Sequence, residues 1–177
     1  MQRKPGVDLR HMILFAMFAA LLFGSKQILE PLPNVELVSP LIMVYTLVYR
    51  GRALIPLYLY VSLQGIFWGF PIWWLPYLYV WLILWGVTML LPQRLSPRWG
   101  VPLYAGVCAL FGLAFGSLWA PFQVLVYLNG DWSKMLPWIA AGLPWDLTHA
   151  LGNLALGTLI APLSTLLHKL EARIPPR

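Results

Sequence analysis

Six apolar segments, joined by turns that carry nearly all of the charge, leave this chain few folds to adopt. They cover approximately 12–29, 35–49, 53–70, 77–91, 101–128 and 136–167. About 20 apolar residues cross a hydrocarbon core, so the second and fourth are short for a span and the last two are long. Only 10% of the residues are charged and 60% are hydrophobic, whereas soluble domains carry about 25% charged residues. The expected fold is therefore an all-α integral membrane protein, a bundle of six transmembrane helices forming one domain over residues 1–177. No small-residue cleavage site follows the first apolar run, so no cleavable signal peptide is expected.

Placing the N-terminus inside puts Arg3, Lys4, Arg10, Arg50, Arg52, Arg94, Arg98, Lys169, Arg173 and Arg177 in inner loops and ends. Only Lys26 and Lys134 fall outside. Ten against two is a positive-inside bias, and it predicts both termini in the cytoplasm of a multi-pass cell-membrane protein. The net charge of +6 is thus a topology signal and does not point to nucleic acid. Four acidic residues, Glu30, Glu36, Asp131 and Asp146, fall toward the outer side, which points to a polar outer site.

The sixth segment contains Pro144, Asp146, His149 and Asn153. If Pro144 opens a helix, Asp146 lies in its first turn, and His149 and Asn153 follow at i+3 and i+7 on the same face. An Asp at a helix centre in a membrane costs roughly 2.5–3.5 kcal/mol, so such groups default to a functional reading. The alternative is that the three hold helices together by hydrogen bonds. Pro121 and Pro144 are expected to break or kink the fifth and sixth helices near one interface.

The outer connections are rich in structure-forming residues. The stretch 31–36 is stiff and turn-forming, suited to covering a cavity. The stretch 71–76 is an aromatic loop bracketed by prolines, and 129–134 contains a turn. Trp68, Trp73, Trp74, Trp119, Trp132, Trp138 and Trp145 gather toward the outer side, with Trp81 a turn deeper. An interfacial belt would decorate both sides, so several of these are expected to line a cavity, with Gln64, Gln123 and Asn129 adding hydrogen-bonding groups. Two rows of small residues recur at spacing four: Ala16, Ala20 and Gly24, then Gly112, Gly116 and Ala120. Either row serves internal packing or a partner helix.

Enzyme motifs are missing. The sequence contains no phosphate-binding loop, zinc-protease motif or serine nucleophile elbow. The single cysteine, Cys108, excludes a disulfide framework. Catalysis, a bound metal and a cofactor are not expected.

The first-helix run Ala16-Met17-Phe18-Ala19-Ala20 and the sixth-helix run Pro144-Trp145-Asp146-Leu147-Thr148-His149 carry a family resemblance. The chain resembles the substrate-binding S components of energy-coupling factor (ECF) vitamin importers. The first-helix run is similar to the Ala-x-x-x-Ala motif that docks on the transmembrane T component. The sixth-helix run resembles the Pro-Phe-Asn-x-x-Lys stretch of riboflavin-type S components, with Asp146 in place of Asn and His149 in place of Lys. Together with the run 77–81, it is more like the cobalamin-associated branch. The resemblance implies a six-helix bundle that binds a vitamin at the outer face, cobalamin or a related corrinoid first among them. Its partners would be a T component and two ATPase subunits. The implied ligand contacts are Asp146, His149, Asn153, Trp145, Trp73, Trp74, Tyr77, Trp81, Gln64, Trp68 and Asn34, with Ala16 and Ala20 for docking. The alternatives are an S component for riboflavin or pantothenate, and a structural membrane protein of MreD-like fold.

Overall fold

The computed structural model describes residues 9–173, and the regular structure within them is all helical, with no strand. Arg3, Lys4, Asp8 and Arg177 lie outside the described residues. The helices are α1 (Leu9–Leu29), α2 (Val38–Tyr49), α3 (Leu54–Trp68), α4 (Tyr77–Met89), α5 (Pro97–Tyr127), α6 (Met135–Gly157) and α7 (Ile160–Ala172). Three short 3-10 turns, Arg50–Ala53, Ile72–Trp74 and Trp132–Lys134, sit in the connections. Four helical stretches are long and apolar enough to cross a membrane: Leu9–Leu29, Val38–Trp68, Ile72–Met89 and Pro97–Tyr127. The pair Trp132–Gly157 and Ile160–Ala172, bent by 44°, makes a fifth if taken as one span.

Within Val38–Trp68 the chain folds back on itself. Arg50 takes a positive φ of 53°, and its carbonyl accepts a hydrogen bond from Trp85 Nε1 at 3.1 Å while its guanidinium binds the Met89 carbonyl. Ring contacts give the direction of each arm. Phe15 meets Tyr49 edge-on and Phe18 stacks on Tyr45 at 4.1 Å, so α2 runs antiparallel to α1. Phe23 then meets Phe67 at 5.3 Å, so α3 returns alongside α1. The bundle thus has one end marked by Lys26 and another marked by Tyr49. Nearly every residue of α2 is buried, as expected of a helix that is apolar all round.

Helix ends follow local chemistry. At the end of α3, Gly69 adopts φ 77° and the Phe70 amide bonds the Gly65 carbonyl at 2.7 Å, a left-handed cap. A side chain on Gly65 would strike the Phe70 ring that folds over it.

Neither Pro144 nor Pro121 breaks its helix, which corrects the expectation of a break there. Pro144 does not open a helix, because α6 starts at Met135 and continues through it. Nor does Pro121 interrupt α5. One missing N–H is tolerated where neighbouring helices hold the segment. The actual break in the last segment is at Thr158–Leu159, between α6 and α7. There the backbone tightens, with the Thr158 amide on the Ala155 carbonyl and the Leu159 amide on the Leu156 carbonyl. Pro162 follows and cannot donate back to Thr158, which prevents regular continuation.

Candidate functional site

Helices α5 and α6 form the most extensively packed pair of helices, and three glycines let them close: Gly112 and Gly116 of α5, and Gly157 of α6 against the Ala105 backbone. A methyl on Gly112 would lie 3.0 Å from the backbone of His149 and Ala150, and one on Gly116 would collide with the Asp146 carboxylate. Into this seam α6 projects Asp146, His149 and Asn153, all buried. Their common face matches the expected spacing. Asp146 Oδ1 accepts a hydrogen bond from the Gly116 amide at 3.0 Å, and Asn153 Nδ2 donates to the Cys108 carbonyl at 3.1 Å. Asp146 Oδ2 and Asn153 Oδ1 are buried acceptors with no donor among the described residues.

His149 reaches across the chain to Glu36, 113 residues away, with Nε2 at 3.2 Å from Oε1. Ser39 Oγ donates to the same oxygen at 2.8 Å, and Lys26 Nζ lies 3.4 Å from Oε2. Because its partner is a carboxylate, His149 Nε2 carries the proton of this bond. Glu36 is in the connection between α1 and α2. Burial works against its charge, but the His149 bond, the Lys26 ammonium and the Ser39 hydroxyl outweigh burial and hold its carboxyl below the usual range. The group ties α1, α2 and α6 together at the Lys26 end.

Beside this network lies a cavity of about 480 Å³. Its walls carry Gln64 and Trp68 from α3, Trp73 from the proline-bracketed loop, Tyr77 from α4 and Asn34 from the 31–36 stretch. Lys26 and Glu30 supply its charge. Rings run inward from it: Trp68 to Trp73 at 6.4 Å, Trp73 to Tyr77 at 5.9 Å, Tyr77 to Trp81 at 5.7 Å. From Trp81 the path continues to Phe115 at 5.8 Å, and from Phe115 to His149 at 4.9 Å.

Of the eleven residues expected to contact a ligand, five border the cavity and six do not. Gln64, Trp68, Trp73, Tyr77 and Asn34 border the cavity. Asp146, His149 and Asn153 do not border it and are bonded to protein. Trp81 is fully buried in the core. Trp74 turns inward, its Nε1 donating to the Val61 carbonyl at 2.7 Å. Trp145 is 58% exposed, and its carbonyl accepts a hydrogen bond from Asn34 Nδ2 at 3.0 Å. That bond pins the 31–36 stretch to α6 at the cavity edge. Gln123 and Asn129 do not border the cavity.

Sequence reasoning noted Glu36 only as an outer acid and missed Lys26 and Ser39. The signal for Lys26 was available, since it is one of two cations at an end enriched in carboxylates. Of the docking candidates, Ala16 and Ala20 are exposed, and Gly24 has open space above it. No group of three or more His, Cys, Asp or Glu among the described residues could hold a metal ion. No family model, curated protein or solved structure matches this chain.

Proposed function

We propose that this chain is the substrate-capturing subunit of a vitamin importer of the ECF S-component type. The observation that carries the reading is the cavity of about 480 Å³ at the Lys26 end. Its size falls within the roughly 300–1,000 Å³ of small-molecule sites, and its aromatic wall with a few polar groups has their usual make-up. In this reading α1 to α5 each cross the membrane once and α6 with α7 form a sixth, bent crossing. The charge bias then places the cavity outside and the Tyr49 end in the cytoplasm.

Captured ligand stacks on Trp73, Tyr77 and Trp68, while Gln64 and Asn34 supply hydrogen bonds. Glu36 holds the Lys26 ammonium at the cavity wall, and His149 holds Glu36. Asp146 and Asn153 act from behind, fixing α6 against α5 so that His149 keeps its place. Cobalamin remains the first candidate, since its peripheral amides and phosphodiester suit Asn34, Gln64 and Lys26. A corrinoid would fill the cavity and extend over the Trp68 and Trp73 rim; riboflavin and pantothenate would sit within it. The exposed Ala16–Ala20 face of α1 is the docking surface for a T component, and two ATPase subunits supply the energy.

Purification in mild detergent followed by denaturation and mass spectrometry tests the reading. One vitamin released in near-equal ratio to protein is the expected result. Protein that carries no ligand and takes up none from a vitamin mixture would instead favour a structural role of the MreD type.

A further inference from the structure

At the Tyr49 end a second cavity, of about 340 Å³, opens between the α4–α5 connection and α7. Its polar wall is cationic. Arg94 and Lys169 line it, and neither makes an ion pair among the described residues. His168 lines it too, with a buried Nε2 that has no hydrogen-bond partner among the described residues. No carboxylate among the described residues borders it: Glu171, the nearby acid of α7, is held by Tyr49 at 2.7 Å and lies 3.6 Å from His11.

This cavity continues into a groove of about 380 Å³ between α5 and α7, and the two share Leu95, Ala161, Thr165 and Lys169. The groove is walled by Val101, Pro162 and Leu166, and among the described residues Lys169 supplies its only charge. A cationic recess joined to an apolar channel has the chemistry of one kind of ligand, an acid head group carrying a hydrocarbon tail. Basic pockets between membrane helices bind anionic head groups in this way, and the cytoplasmic leaflet is where such lipids concentrate.

We infer that this site binds an anionic phospholipid, its phosphate between Arg94 and Lys169 and one acyl chain in the α5–α7 groove. The site is separate from the Lys26 cavity and independent of what that cavity holds. A lipid seated here would brace the Thr158–Leu159 break by bridging α7 to the start of α5.

Native mass spectrometry of the whole protein, with phosphatidylglycerol or phosphatidylcholine of identical chains, provides the test. Phosphatidylglycerol should bind at least tenfold more tightly, and the Arg94→Gln/Lys169→Gln pair should weaken it about thirtyfold, two charge contacts' worth. Arg52→Gln, at the same end but outside the cavity, should leave binding unchanged. Should the double variant fail to fold, a photoreactive phosphatidylglycerol on the wild type still decides the matter. Its cross-links should map to 93–101 and 161–172. Equal binding of the two lipids, cross-links elsewhere, or full displacement of the lipid by millimolar inorganic phosphate would overturn the assignment.

Discussion

The α5–α6 seam and the cavity beside it both hold polar side chains inside the bundle and do opposite things with them. In the seam, Asp146, His149 and Asn153 are pressed against glycine and backbone, and each is bonded to protein. In the cavity, Trp68, Trp73 and Tyr77 face open volume, with Gln64 buried behind them and donating to the Tyr60 hydroxyl at 3.4 Å. The difference lies in what stands opposite. Gly112 and Gly116 let α6 close on α5, whereas α1 and α3 meet the 31–36 stretch across bulky rings that leave a gap. Polar groups inside a bundle can take a ligand only where packing leaves them room.

Substitutions should separate the two regions. The largest effect is expected at Glu36, where removal strands buried partners. Glu36→Ala should cost about 3–5 kcal/mol, the usual penalty for breaking a buried pair, and a thermal melt in detergent would show it. Next comes Gly112→Leu, which forces α6 away and should cost about 1–3 kcal/mol or more. The matching change Gly24→Leu on α1, with nothing within 4 Å of its added carbon, should leave the melt nearly unchanged. If both glycine variants behave alike, the packed-versus-open distinction fails.

Cavity changes should do the reverse. Trp73→Ala is expected to weaken vitamin binding about ten- to a hundredfold, as losing roughly 1.4–2.8 kcal/mol does, with the melting temperature nearly unchanged. Ala20→Trp should preserve vitamin binding but stop co-purification with a T component.

The smallest effect concerns pH. The Glu36 carboxyl sits below its unfolded value, so its stabilisation is present above pH ~4.3 and fades as pH falls through the depressed folded value. Melting temperature should drop across that acid window in the wild type and less so in Glu36→Gln.

Apolar runs located α1 to α5 to within four residues but read α6 and α7 as one segment, and the 3.6-residue period put Asp146, His149 and Asn153 on one face. Their partners were not legible. The Glu36–His149 contact spans 113 residues, and no local pattern specifies it. Nor could spacing tell the two small-residue rows apart. Gly112 and Gly116 turn inward while Ala16 and Ala20 turn outward, and only the arrangement of neighbouring helices decides that. Pro144 did not start or break a helix, because that expectation is local and tertiary packing overrode it. Pro162, just beyond the true break at Thr158–Leu159, was the better signal.

Isothermal titration of purified wild type and Trp73→Ala with cobalamin, riboflavin and pantothenate is the most direct measurement. One vitamin should bind the wild type one-to-one and bind Trp73→Ala at least tenfold more weakly, with both proteins melting at the same temperature. Unchanged affinity in Trp73→Ala, or no saturable binding of any of the three by protein that also carries no retained ligand, would contradict vitamin capture in the Lys26-end cavity.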